Sequence, residues 1–114
     1  MPQIKHGRWV TPAGQGVSSA LRLESDTLVG FYTPSALDSA RLGLQASHDG
    51  QTFADIVSEG EAWTMTGDAD AYIPLDATRL LGAAYVRLTH LDAQGAAAVE
   101  SSERVFLPAF RSFE

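Results

Sequence analysis

The chain has 114 residues and no cysteine, and eight Lys and Arg residues against fourteen Asp and Glu residues give it a formal net charge of −6. This length supports one domain with one core, and the lack of cysteine excludes disulfides and thiolate metal sites. An acidic chain lacks the cations that displace counterions from phosphates, so we expect no nucleic-acid partner. No apolar run approaches the roughly 20 residues of a membrane span, so we expect no membrane partner either.

Residues 1–16 are predicted to form an N-terminal arm or an edge strand ahead of a single β-domain over 17–114. The cationic residues Lys5 and Arg8 are followed by no apolar stretch, so we expect no signal peptide.

The arm is the predicted contact with another protein, because it combines Trp9 and Arg8, two residue types that often anchor interfaces. The alternative is an edge strand over 4–10 with Trp9 folded onto the chain's own core. Exposed aromatic residues near the C-terminus would add to the contact. The candidate interface residues are Ile4, Lys5, Arg8, Trp9, Phe110 and Phe113.

From residue 21 onward, apolar and polar residues alternate with a period of two, which is typical of half-buried strands. Turn signals at intervals of about ten residues favour a sandwich or barrel. We predict an all-β, compact antiparallel β-sandwich of the jelly-roll or another Greek-key type, with one short helical connector. The predicted core includes Leu42, Leu44, Phe53, Ile56, Val86 and Leu88.

Asp49 and Gly50 separate two alternating runs, over 42–47 and 52–57, and this pair predicts a tight hairpin turn. The short helical connector is predicted over 76–81, where Asp76 can cap the first turn and Gly82 can end the last one.

The three histidines, His6, His48 and His90, do not occur at metal-ligand spacing. His48 is expected in the hairpin turn, and His90 at the end of a strand, out of phase with Tyr85 and Arg87. Residues 47–49 read Ser-His-Asp, but neighbours on a strand point to opposite faces and cannot form a catalytic relay. We therefore predict no catalytic residues and no enzyme.

Asp68 and Asp70 resemble the start of a calcium loop, but the third acid, the central glycine and the distal glutamate of such a loop are lacking. A solvated turn, with Asp76 as a helix cap, is the alternative. We predict no metal site and no cofactor.

Trp63 shares one strand face with Met65, which favours a place in the core over a sugar-stacking platform. Stacking of a sugar on Trp9, Trp63 or Tyr72 is the alternative, and it would make the protein a carbohydrate-binding module.

Two segments together resemble known families. Residues 42–53 contain a strand and an S-x-D-G-x-x-F hairpin, and residues 73–88 end in the strand Tyr-Val-Arg-Leu. This pair resembles the strand–hairpin motif of discoidin-like, galactose-binding-type β-sandwiches. At this short length it is also similar to small β-sandwich virion proteins of tailed bacteriophages and gene transfer agents. The resemblance covers 40–91, and discoidin-like domains are usually longer and often carry a disulfide.

The resemblance implies a non-enzymatic structural protein of a tailed-phage or phage-like particle, made in the bacterial cytoplasm and placed on the virion surface. The implied role is decoration or stabilisation of the head, or that of a component of a small surface spike or fibre. The implied partners are capsid or other virion proteins, or further copies of this chain, with a glycan as the partner under the carbohydrate-binding alternative.

Overall fold

The structure is a computed structural model that describes residues 4–23 and 27–111. Strands make up 46% of the chain and helical turns 4%, so the predicted all-β class is confirmed. Across the described ranges, no helix has the length and apolar character needed to cross a membrane. The strands are β1 (Ile4–His6), β2 (Trp9–Thr11), β3 (Leu21–Arg22), β4 (Thr27–Tyr32), β5 (Arg41–Ser47), β6 (Ala54–Asp55), β7 (Val57–Ser58), β8 (Glu61–Ala62), β9 (Thr64–Thr66), β10 (Tyr72–Pro74), β11 (Tyr85–Leu91) and β12 (Arg104–Arg111).

Two antiparallel sheets pack face to face as a β-sandwich. The first sheet has the order β1-β12-β4-β10, with β2 also paired to β12. The second has the order β3-β11-β5-β6, with β9 also paired to β5. Strands β7 and β8 pair only with each other, as a separate hairpin. When β1 and β2 count as one strand and β6 and β9 as another, the two larger sheets contain eight strands, and their order is that of a jelly roll.

The N-terminal segment is an edge strand rather than a free arm. Strands β1 and β2 follow one register along β12, in which His6 pairs with Ala109 and Trp9 pairs with Phe106. The strand is broken at Gly7, at the level of Pro108, and at Arg8, at the level of Leu107. Because proline lacks the N–H that an inner strand would donate, the break in pairing lies where no donor is present.

Trp9 and Phe110 are both buried. The expected exposure of Phe110 is therefore wrong, and Trp9 follows the alternative in which it folds onto the chain's own core. The Trp9 indole N–H donates to the carbonyl of Val86 on the second sheet at 3.0 Å. Phe110 lies in the core because it shares the inward phase of β12 with Phe106. The remaining aromatic candidate, Phe113, lies outside the described residues.

Four of the six predicted core residues are fully buried: Leu42, Leu44, Val86 and Leu88. Ile56 is partly buried against the same cluster. The assignment of Phe53 to the core is wrong, because this residue precedes β6 and is only half-buried, outside the core cluster. The Arg87 guanidinium lies 4.1 Å from its ring centre.

The predicted hairpin is present, but its connection is wider than a two-residue turn. Strands β5 and β6 pair antiparallel, with Ala46 opposite Ala54, so residues 47–53 form the connection. The Ser47 hydroxyl oxygen accepts the backbone N–H of Gly50 at 2.9 Å, and Gly50 has a φ of +81°. The predicted helical connector is also present, as a 3₁₀ helix over Ala77–Leu80 that Asp76 caps.

Replacing Trp9 with alanine should lower the free energy of unfolding by about 3–5 kcal/mol, because the change removes a fully buried aromatic side chain. The measurement is chemical denaturation followed by circular dichroism, with Trp63→Ala as the half-buried comparison. If Trp9→Ala does not fold, Trp9→Phe still tests the assignment, because it keeps an aromatic ring in the core while it removes the indole N–H bond and part of the buried volume. A loss within about 0.5 kcal/mol for Trp9→Ala would contradict burial of this side chain.

Gly50→Ala should destabilise the protein more than Gly14→Ala. Both glycines have φ near +80°, where an added Cβ is strained by about 1 kcal/mol. At Gly50 the Cβ would also lie 3.0 to 3.2 Å from the ring of Tyr85, whereas at Gly14 it would meet nothing within 4 Å. Thermal unfolding of the two variants side by side measures the added steric effect, and equal losses would refute it.

Candidate functional site

Three exposed large apolar side chains form one row on the outer face of the first sheet. Leu107 of β12 pairs with Tyr32 of β4, which pairs with Tyr72 of β10. Their exposed fractions are 44%, 49% and 43%. Contiguous exposed apolar surface marks an interaction site, whereas single scattered residues do not. We call these three residues the apolar row.

The Tyr72 ring is fixed in place before any partner binds. Its hydroxyl donates to the carbonyl of Val29 at 3.2 Å, and its ring lies directly against the backbone of Gly30, which has no side chain to hold it away. The rings of Tyr32 and Tyr72 contact each other, with centres 4.8 Å apart. A surface that is already ordered loses little side-chain entropy on binding, so the apolar row is suited to recognition.

A buried polar network of five side chains lies where β11 ends and β12 begins: Thr11, Ser39, His90, Glu100 and Arg104. The Glu100 carboxylate accepts hydrogen bonds from Arg104 Nε and from the backbone N–H groups of Asp38 and Ser39, all within 2.9 Å. His90 Nδ1 lies 3.2 Å from Glu100 Oε2, and His90 Nε2 lies 2.8 Å from Thr11 Oγ1.

These contacts determine the protonation states of the network. Burial lowers the pKa of His90 more than the nearby Glu100 carboxylate raises it, so the imidazole is neutral near pH 7. Burial alone would raise the pKa of Glu100, but the hydrogen bonds from Asp38, Arg104 and Ser39 outweigh it and hold that pKa below its usual value. With the carboxylate beside Nδ1, the imidazole proton belongs on Nδ1, and the Thr11 hydroxyl donates to Nε2.

Thr11, His90 and Glu100 have the order of a hydroxyl–imidazole–carboxylate relay, with the hydroxyl at one ring nitrogen and the carboxylate at the other. A nucleophile has to reach its substrate, however, and all three side chains are buried. The network therefore acts inside the fold, where it joins the two sheets.

An open polar cleft of about 290 Å³ borders Trp63, with Arg41, Arg79, Glu59 and Glu61 in its wall. The Arg79 guanidinium lies 5.0 Å from the Trp63 ring centre and is paired with Asp76 at 3.5 Å. Trp63 also packs against the core, as the sequence favoured. A sugar would have to displace Arg79 to stack on this ring.

The Ser-His-Asp run at 47–49 lies in the hairpin connection, and its side chains do not form a catalytic relay. His48 is 87% exposed, with its Nε2 4.0 Å from Asp49 Oδ2. Asp49 instead accepts the backbone N–H groups of Gln51 and Thr52, and these bonds lower its pKa to about 2. Among the described residues, no three His, Asp or Glu side chains are grouped to hold a metal ion.

The candidate interface residues do not converge on one surface. Arg8 is exposed at the break between β1 and β2, whereas Trp9 and Phe110 are in the core. The backbone of Ile4 and Lys5 pairs with β12.

Comparison of the chain with protein-family models, with curated proteins and with solved structures found no match. The resemblance of residues 40–91 to phage virion proteins therefore stays a prediction.

Sequence reasoning missed the apolar row and most of the buried network. Tyr32 and Tyr72 are 40 positions apart by their residue numbers, and only the pairing of β4 with β10 brings them together. For His90 a signal was present, because it shares the phase of Val86 and Leu88 on β11. For Glu100, which precedes a serine-rich turn, the sequence gives no sign of burial.

The protein should lose stability as the pH falls below about 6.5. The pKa of His90 lies below its ordinary value of 6.5 in the folded state, so the unfolded chain takes up this proton first. Glu100 adds a second loss below its ordinary value of 4.5, because its folded pKa is also depressed. The measurement is the free energy of unfolding from pH 8 to pH 4.

The matched variants are His90→Asn and His48→Asn. His90→Asn should be less stable at pH 8 and should show a flatter dependence between about pH 6.5 and 5, because the buried titrating group is gone. His48→Asn should follow the wild type, because His48 is solvent-exposed. A wild-type slope that persists in His90→Asn would assign the acid sensitivity to other groups.

Proposed function

We propose that the protein is a non-enzymatic structural component of a tailed-phage or phage-like particle and is held to a neighbouring protein subunit through its apolar row. The observation that supports this proposal is the ordered row of Leu107, Tyr32 and Tyr72 on the outer face of a rigid sheet. The function of such a part is to present a stable surface, and a β-sandwich with a fixed apolar face meets that need.

The distribution of reactive groups also supports a structural role. The arrangement closest to a catalytic relay, Thr11–His90–Glu100, is buried and built into the contact between the sheets. The open cleft beside Trp63 has its guanidinium groups engaged with Asp76, Trp63 and Thr64.

The biological setting rests on two weaker arguments. Jelly rolls recur in viral capsid domains and in lectins, which is an analogy of fold and not of function. The resemblance of residues 40–91 to small virion proteins favours the first of these two classes. Location on the surface of a particle follows from the same proposal.

A carbohydrate-binding module is the second candidate, and the exposed pair of Tyr32 and Tyr72 favours it. Flat aromatic faces can stack on sugar rings, and these two are accessible. Trp9 is too deeply buried for that role, and Arg79 covers Trp63. The glycan hypothesis therefore rests on the same surface as the structural one, and a binding experiment separates them.

The test is co-sedimentation of the purified protein with particles from the source organism, together with mass spectrometry of those particles. We expect wild-type protein to sediment with the particles and Leu107→Lys to stay in solution, because a cation in the row costs binding. Leu81→Lys, at a residue 73% exposed and outside the row, is the matched control and should bind like wild type. Absence from particles, combined with binding on a glycan array that Tyr72→Ala abolishes, would replace this function with carbohydrate binding.

A further inference from the structure

The outward face of β12 has a pattern that is complementary to itself. The outward phase of this strand comprises Val105, Leu107 and Ala109, with exposed Arg111 at its end. Exposed Glu103 lies at the position that continues this phase before the strand begins. The face therefore reads acid, three apolar residues, base, and Leu107 is at its centre.

We propose that the apolar row binds the same row of a second copy of this chain, with the two copies related by a two-fold axis that runs along the row. This inference rests on the proposed function, because it names the neighbouring subunit. A rotation about that axis reverses the direction of β12 and leaves Leu107 opposite itself. Arg111, four residues after Leu107, then comes opposite Glu103, four residues before it.

Each dimer therefore contains two Arg111–Glu103 pairs, one at each end of the buried apolar strip. This complementarity is the reason to choose a second copy over another occupant. Two bodies of net charge −6 repel each other, so a contact between copies needs a face that carries little charge of its own. Gly30, Tyr32, Tyr72 and Pro74, the outward residues of β4 and β10, are uncharged and meet this need.

The dimensions of the face predict a weak dimer. Strand β12 is eight residues long, which corresponds to about 27 Å, and four neighbouring strands span about 19 Å. Face-to-face contact would bury roughly 500 Å² on each copy, or about 1,000 Å² in total, at the lower limit of specific interfaces. We therefore expect reversible association in the micromolar to millimolar range rather than a permanent dimer.

Arg8 distinguishes this arrangement from docking on an acidic shell. The register of β1 and β2 along β12 brings Arg8 to the level of Leu107, at the edge of the face. In the two-fold dimer Arg8 would lie near its own symmetry mate, so Arg8→Gln should leave association unchanged or strengthen it by up to about threefold. If an acidic partner occupied the face, the same variant would weaken binding.

The experiment is sedimentation equilibrium of the full chain from roughly 1 µM to 1 mM, the range in which a weak dimer forms. Wild type should shift from monomer to dimer. Leu107→Lys should raise the dissociation constant at least about tenfold, because it brings two cations together on the axis. Leu81→Lys, which introduces the same charge at an exposed leucine elsewhere, should match wild type. Circular dichroism melting of each variant verifies its fold.

A charge swap tests the orientation of the two copies. Arg111→Glu alone and Glu103→Arg alone should each weaken association by about three- to tenfold, because each puts like charges together at both ends. The double variant should return to within about twofold of wild type. Rescue of this kind arises only when residues 103 and 111 of different copies meet, so failure of the double variant to recover would overturn the two-fold arrangement.

Failure of this inference and failure of the proposed function give different results. A wild-type protein that stays monomeric to 1 mM, but loses particle binding in Leu107→Lys, overturns the dimer and leaves the structural role standing. A dimer that responds to Leu107→Lys as expected, but never sediments with particles, supports the dimer and overturns the structural role.

Discussion

The packing of Trp9 against Phe31 is the contact on which both sheets depend. The two rings meet edge to face with centres 5.5 Å apart, and Phe31 in turn meets Phe106 at 6.1 Å. These residues come from β2, β4 and β12, so the cluster fixes the edge strand against the centre of the first sheet. The Trp9 indole N–H continues the connection to Val86 on the second sheet. One side chain near the N-terminus thus closes the sandwich.

The buried polar network extends this aromatic core rather than interrupting it. The His90 ring lies 5.7 Å from that of Phe106, so the polar and apolar clusters share a boundary. Glu100 holds Arg104 at the first residue of β12, and in a low-dielectric interior such a bond is costly to break. The start of β12 is therefore anchored, and its register follows from that anchor. The register decides which residues of β12 face inward and which face outward.

The period-two pattern was sufficient for the fold class, for the central strands and for four core residues, because Leu42, Leu44, Val86 and Leu88 lie on long strands where the alternation is unbroken. It failed at Phe53, because the apolar–polar alternation runs over 52–57, whereas only Ala54 and Asp55 pair with β5. Phe53 therefore belongs to the connection and not to a strand. It was ambiguous at Trp9, because a short run of three residues reads equally well as an arm or an edge strand. Only the pairing with β12 decides between the two.

The candidate site was less accessible to sequence reasoning, for a physical reason. Burial of a strand residue leaves a trace in its own segment, since its neighbours on the same face are apolar too. A surface built across three strands leaves no such trace, because Leu107, Tyr32 and Tyr72 are each isolated in their own segments. Tyr72 depends further on Gly30, whose lack of a side chain lets the ring lie on the sheet. Such a surface becomes visible only once the strand order and register are known.

The two faces of β12 separate stability from recognition. Phe106, Pro108 and Phe110 point into the core, whereas Val105, Leu107 and Ala109 alternate with them and face outward. Burial accounts for the inward residues completely, since each fills space between the sheets. It does not account for a half-exposed leucine beside two half-exposed tyrosines. The fold would tolerate polar residues at these positions, and a monomer exposes the apolar ones to water at some risk of aggregation. Folding does not require this apolar row, and Tyr72, which lies on Gly30, holds it rigid. Charges of opposite sign, on Glu103 and Arg111, lie before and after Leu107 on the outward face of β12. Selection for stability alone does not explain this arrangement, and the proposed contact with a second copy does.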